Sequence, residues 1–260
     1  TLADETTDTY MRKKTVRLLA DRVAEVNLDS PEASLFLEMV PELVAQVGVV
    51  EPHVTDDEDE EAVAVLKRNI IMQQGALVAL ESFVRSLCPV SEKSKLTSKA
   101  ADAFVPALES VTKLFVGTAA SWTKESDNDE DVEMLGIKDA ECQLLSSSAL
   151  CLSSLVAVLK ARCLPLLPSF VKPLISSLQS INLQVESTDF QAESSEHMLQ
   201  LSILRLLETL AENLPQFLPP YLPTIFSRNA LPSKALRRNK SLKEAAERVE
   251  SALASKSPIR

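Results

Sequence analysis

Apolar residues in this chain recur at helical spacing in long stretches, and polar or acidic breaks separate one stretch from the next. Val16, Leu18, Leu19, Val23 and Val26 mark a first helix over 9–26, with Arg12, Lys13, Lys14 and Arg17 on its wet side. Ser30-Pro31-Glu32 supplies an N-cap, a first-turn proline and an early acid. It predicts a helix to about Gly48 through Phe36, Met39, Val40, Leu43 and Val47. Six consecutive acids follow at 56–61; they cannot pack and must be solvated. The apolar period then resumes from Val65 and Leu66 to Val84 and Leu87.

The alternation continues. A helix over 98–120 (Phe104, Leu108, Val111, Leu114, Phe115) precedes a second acidic stretch containing Asp127, Asp129, Asp131 and Glu133. A helix over about 138–162 follows. Pro165 and Pro168 open a third unit whose first helix reaches Ile181, polar residues 184–196 break it, and 197–213 is strongly apolar. Pro215 and Pro219-Pro220 open a fourth unit, which ends in a helix over about 234–255 carrying Leu236, Leu242, Val249 and Leu253.

Pro41, Pro106, Pro173 and Pro223 each lie in an apolar, helix-like context, and from Leu164-Pro165 to Leu214-Pro215 the third unit maps onto the fourth at a constant offset. A recurring helix–break–helix unit signifies an α-solenoid. The expectation is all-α: about four antiparallel helix pairs in a HEAT/ARM-like superhelix with acidic, partly disordered insertions. The approximate units are 31–87, 97–162, 165–213 and 215–256, preceded by the helix 9–26 of an earlier repeat, the whole of 1–260 being one solenoid segment. Absence of an initiator methionine or signal peptide suggests a piece of a longer protein.

Composition agrees with this reading. Four glycines in 260 residues are too few for the turns of hairpin folds or the phosphate loops of nucleotide folds. No run approaches eighteen consecutive apolar residues. Cys88, Cys142, Cys151 and Cys163 lie in apolar helical patterns without C-x-x-C spacing, as small buried hydrophobes of a reducing compartment would.

Candidate chemistry is sparse. Asp127, Asp129 and Asp131 have calcium-loop spacing, but Val132 stands where glycine is needed and Lys138 where a bidentate glutamate is needed. His53 and His197 have no ligand-spaced partner, and His197 reads as a surface or capping residue. No nucleophile elbow, phosphate loop, metal set or cofactor motif is present, so no enzyme activity and no cofactor are expected. The sequon at Asn239-Lys240-Ser241 reads as idle. Thr55 and Ser126 precede acidic runs that suit an acid-directed kinase.

Charge is uneven. The net charge of −10 opposes a general nucleic-acid clamp, yet residues 232–260 hold eight Lys or Arg against three Glu. Lys234, Arg237, Arg238, Lys240, Lys243 and Arg248 form a cluster with two readings. It is the solvated face of a terminal helix, or it contacts RNA phosphates or an acidic protein surface; a nuclear localisation signal fits the same residues.

The proline-bearing helix pairs resemble the HEAT-repeat superfamily over most of the chain, without its regular Asp and Arg positions. Met11-Arg12-Lys13-Lys14-Thr15-Val16-Arg17-Leu18-Leu19 is similar to helices of the very large HEAT-repeat scaffold of the small-subunit processome. So is the stretch from Ser148-Ala149-Leu150-Cys151-Leu152 to Leu164-Pro165-Leu166-Leu167-Pro168. That resemblance implies a non-enzymatic scaffold of ribosome biogenesis and rRNA processing, in the nucleolus within the nucleus. Its partners would be other proteins of a large ribonucleoprotein, with RNA meeting the C-terminal basic segment, and no membrane or small-molecule substrate. The alternative is a transport-receptor-like HEAT segment that grips basic cargo through acidic loops.

Overall fold

The computed structural model describes residues 9–28, 30–48, 60–89, 95–124, 132–187 and 195–256. Among these, all regular structure is helical. The helices are α1 (Thr9–Ala24), α2 (Pro31–Val47), α3 (Glu60–Leu87), α4 (Lys95–Ala103), α5 (Val105–Lys124), α6 (Val132–Leu159), α7 (Leu167–Ser187), α8 (Ser195–Asn213), α9 (Leu222–Ile225), α10 (Ala235–Arg238) and α11 (Lys240–Lys256).

Two rows define the architecture. α1, α3, α6, α8 and α11 pack side by side in that order, and α2, α5, α7 and α10 form the second row. α2 lies against α3 and α5 against α6, so each pair closes across the rows. Every helix thus touches mainly its neighbours, the arrangement of an α-solenoid. Phe83, Phe104, Phe115 and Phe170 are fully buried between the rows. Phe36 of α2 meets Phe83 of α3 edge to face at 5.5 Å.

Polar links fix the register. Gln73 donates to the Val47 carbonyl (3.4 Å), joining α3 to α2, and Gln74 to the Ala140 carbonyl (3.2 Å), joining α3 to α6. Ser153 of α6 and Thr209 of α8 bring their hydroxyls within 2.7 Å in the core. Thr209 spends its proton on the Arg205 carbonyl, so Ser153 is the donor of the pair.

The prolines differ more than their sequence contexts suggest. Pro41 and Pro173 lie inside α2 and α7. The chain breaks at Phe104, making Pro106 the second residue of α5, where a missing N–H is harmless. The expected first helix of the fourth unit is replaced by two 3-10 turns (Pro215–Phe217, Pro219–Tyr221) and the four-residue α9, which carries Pro223. Four prolines within nine residues remove too many donors for a continuous ladder. Helix α6 ends at Lys160, which adopts φ 49°, a left-handed position usually filled by glycine. The span 138–163 is long and apolar enough to cross a membrane by length and composition. Packing against α3, α5 and α8 accounts for that apolarity.

Candidate interaction surface

Helix α11 buries Leu242, Ala245, Ala246, Val249 and Leu253 against α8 and presents charge outward. Its N-terminus is capped by Asn239, whose Oδ1 accepts the Ser241 N–H at 2.8 Å. The same oxygen accepts the Ser241 hydroxyl at 2.7 Å. With that proton committed, Nε2–H of His197, 3.3 Å away, is the donor to Ser241 Oγ. His197 is buried beneath the first turn of α11, against the expectation of a surface residue, because α8 begins under that turn. Burial lowers its pKa from 6.5.

The six basic residues singled out in the sequence do not form one patch. Arg237 reaches Glu250 at 2.6 Å, and Glu247 at 3.9 Å. Lys240 faces Glu244 and Lys243 faces Glu247, each at 3.9 Å one helical turn on. Arg248 Nε lies 3.1 Å from Glu208, a buried carboxylate of α8 that also meets Arg205 at 3.1 Å. Arg238 donates to the Val185 carbonyl at the end of α7 (2.9 Å), while Lys234 is exposed. Exposed pairs of this kind are worth about 0–1 kcal/mol, so the outer cations exchange partners at little cost.

Three α7 residues missed in the sequence hold the following segment in place. Asn182 is buried and donates to the carbonyls of Asn229 (2.8 Å) and Ala230 (3.0 Å), while its own oxygen accepts from Gln200 of α8 at 2.8 Å. Gln179 donates to Ser227 Oγ at 2.7 Å. Glu186 accepts the Ser233 hydroxyl at 2.9 Å, and that bond, with the N–H groups of Ala235 and Lys234, holds its pKa below 4.5. A polar residue on an otherwise apolar helical stripe, as Asn182 is, was the one signal in the sequence.

All four cysteines are buried free thiols, and burial pushes Cys88 and Cys163 up to about 12 and Cys142 and Cys151 further, which makes them poor nucleophiles. Among the described residues no group of three or more His, Cys, Asp or Glu converges to hold a metal. Thr55, Ser126, His53, the aspartates at 127, 129 and 131 and most of both acidic runs lie outside the described residues. Glu60 and Glu61 open α3 and Glu133 falls within α6, so these acids belong to helices and not to the breaks expected between them.

The two helical rows define an all-α, HEAT-like solenoid. Its sequence resembles HEAT repeat-containing protein 1 of Homo sapiens, with 27% identity over 219 residues, covering 84% of this chain and 8% of that protein. It is 33% identical over 101 residues to the HEAT repeat-containing protein 1 homolog of Dictyostelium discoideum, covering 38% of this chain and 4% of that protein. Over 156 residues it is 29% identical to U3 small nucleolar RNA-associated protein 10 of Debaryomyces hansenii, covering 56% of this chain and 8% of that protein. The chain therefore spans only a small part of the length of these curated relatives. No family model and no solved structure matches it.

Proposed function

We propose that the chain is a non-enzymatic scaffold segment of a nucleolar ribonucleoprotein that processes pre-ribosomal RNA and builds the small ribosomal subunit. The observation that carries this reading is the match over 84% of the chain to a HEAT repeat-containing protein, joined by a match to a U3 small nucleolar RNA-associated protein. The mechanism is geometric. Stacked helices bury a shared core and leave their outer faces to hold other proteins at fixed spacing. Exchangeable cations on α10 and α11 (Arg237, Lys240, Lys243) add an electrostatic contact for RNA or acidic protein, and the hydroxyls of Thr55 and Ser126 are phosphorylation sites that tune it.

Deletion of this segment from the full-length protein in its native cell tests the proposal. The expected result is accumulation of unprocessed pre-ribosomal RNA and loss of U3 RNA from the immunoprecipitated protein. Normal processing and undiminished U3 recovery, with the truncated protein present at normal abundance, would reject it.

A further inference from the structure

We infer that the groove between α7 and the 226–229 turn is a docking site for an extended acidic segment of a partner protein that carries an apolar anchor. The groove has a volume of about 510 Å³ and is lined by Ser176, Gln179 and Ser180 of α7 and by Ser227, Arg228 and Asn229 of the turn. Its charge is one-sided. Residues 160–185 and 213–243 contain nine Lys or Arg and no Asp or Glu, in a chain whose net charge is −10. Arg162, Arg237, Lys240 and Lys243 meet carboxylates from outside these spans, and Lys172 and Arg228 are not among those so paired. The fold lays these two acid-free spans against each other. The carboxylate at the end of α7, Glu186, stays ionised under hydrogen bonds from the Ser233 hydroxyl and the adjoining N–H groups. The cation it interacts with is Arg238, which does not line the groove. Arg228 lines the groove, and Lys172 lies one helical turn before Ser176 on the same face of α7. An anionic partner therefore meets Arg228 and Lys172 with no carboxylate paired to them among the described residues, unlike Lys240 and Lys243 of α11, which each have a glutamate one turn on.

The walls narrow the class of partner. Hydroxyl and amide groups pair with peptide backbone and with carboxylates alike. Leu183 lines the groove with 51% of its surface exposed, and Phe226, adjoining Ser227 in the chain, is 45% exposed. A large apolar side chain, Leu183, exposed in an otherwise polar groove suits an amphipathic acidic peptide. A phosphate backbone calls for a row of cations, and a single guanidinium lines these walls. The site is also built in advance. The Gln179–Ser227 hydrogen bond and the grip of Asn182 on the Asn229 and Ala230 carbonyls fix both walls, so little ordering is lost on binding. This reading stands on charge and geometry and does not depend on which particle the chain serves.

The test is selection from a phage-displayed library of random peptides on the immobilised 260-residue chain, followed by fluorescence anisotropy of synthetic peptides and of poly-uridylate. The expected result is enrichment of peptides that combine Asp or Glu with a large apolar residue. Their binding should weaken about tenfold or more in Arg228→Glu, and several-fold in both Lys172→Glu and Leu183→Ser. Arg17→Glu, an exposed change on α1 at the opposite end of the row, should leave it unchanged. Arg228→Gln, a milder exposed change, guards against misfolding and should give an intermediate loss. Enriched peptides without acidic residues, binding indifferent to Arg228, or no enrichment would overturn the inference. Poly-uridylate binding tighter than any selected peptide and dependent on Arg228 would overturn it in favour of RNA.

Discussion

His197 shows how one buried side chain can give the C-terminal helix a pH response. Above the ordinary imidazole pKa of 6.5 the ring is neutral in both folded and unfolded chains and contributes no slope. Below it, the unfolded chain takes up a proton that the folded chain refuses, so stability falls as pH falls. The loss levels off once the folded imidazole protonates as well. Glu186 acts in a lower window: its contribution is complete above the usual glutamate value of 4.5 and is lost as pH drops through its depressed folded value. Urea midpoints measured from pH 7.5 to 5.5 should therefore fall, and His197→Gln should flatten the decline. Parallel curves for the two proteins would show that His197 titrates normally when folded. At this scale the sequence was only partly legible. Histidine at a helix start looked solvent-facing because nothing local announced that the first turn of α11, more than forty residues on, closes over it. The basic cluster looked uniform for the same reason: the carboxylates that divide it lie one turn along α11 or, for Glu208, on another helix.

At the scale of elements, periodicity alone revealed the long helices, because each buries a stripe that must recur every 3.6 residues. Prolines were less readable. All four sit among similar apolar neighbours, yet what a proline does depends on its distance from the helix start, and that distance is set by tertiary breaks such as the one at Phe104. Pro41 and Pro173 each delete an interior backbone hydrogen bond, whereas Pro106 deletes none. If the two rows tolerate a straight helix, Pro41→Ala and Pro173→Ala should each stabilise the chain by about 1–3 kcal/mol, with Pro106→Ala near neutral or slightly destabilising. Chemical denaturation of the three variants decides the matter. A loss of stability in Pro41→Ala and Pro173→Ala would instead show that the bends are required for stacking.

For the whole molecule, what matters is that each helix meets mainly its row neighbours and one partner across the rows. In such an array stability is a sum of local units and nearest-neighbour interfaces, so damage should spread according to position and not merely according to burial. Leu152 and Leu242 make a matched comparison: both are leucines with 0% exposure, but Leu152 lies in central α6 and Leu242 in terminal α11. Each change to alanine removes the same methyl groups and costs about 2–5 kcal/mol locally. Leu152→Ala should lower hydrogen-exchange protection across α3, α6 and α8, since α6 bridges them. Leu242→Ala should loosen α11 and the facing side of α8 while leaving α1 to α3 at full protection. Hydrogen exchange read by mass spectrometry separates the outcomes, and equal loss everywhere in both variants would mean that the rows unfold as one cooperative block. The distinction bears on scaffolding directly. A chain that opens unit by unit can release a partner held at one end while keeping another in place, and a single block cannot.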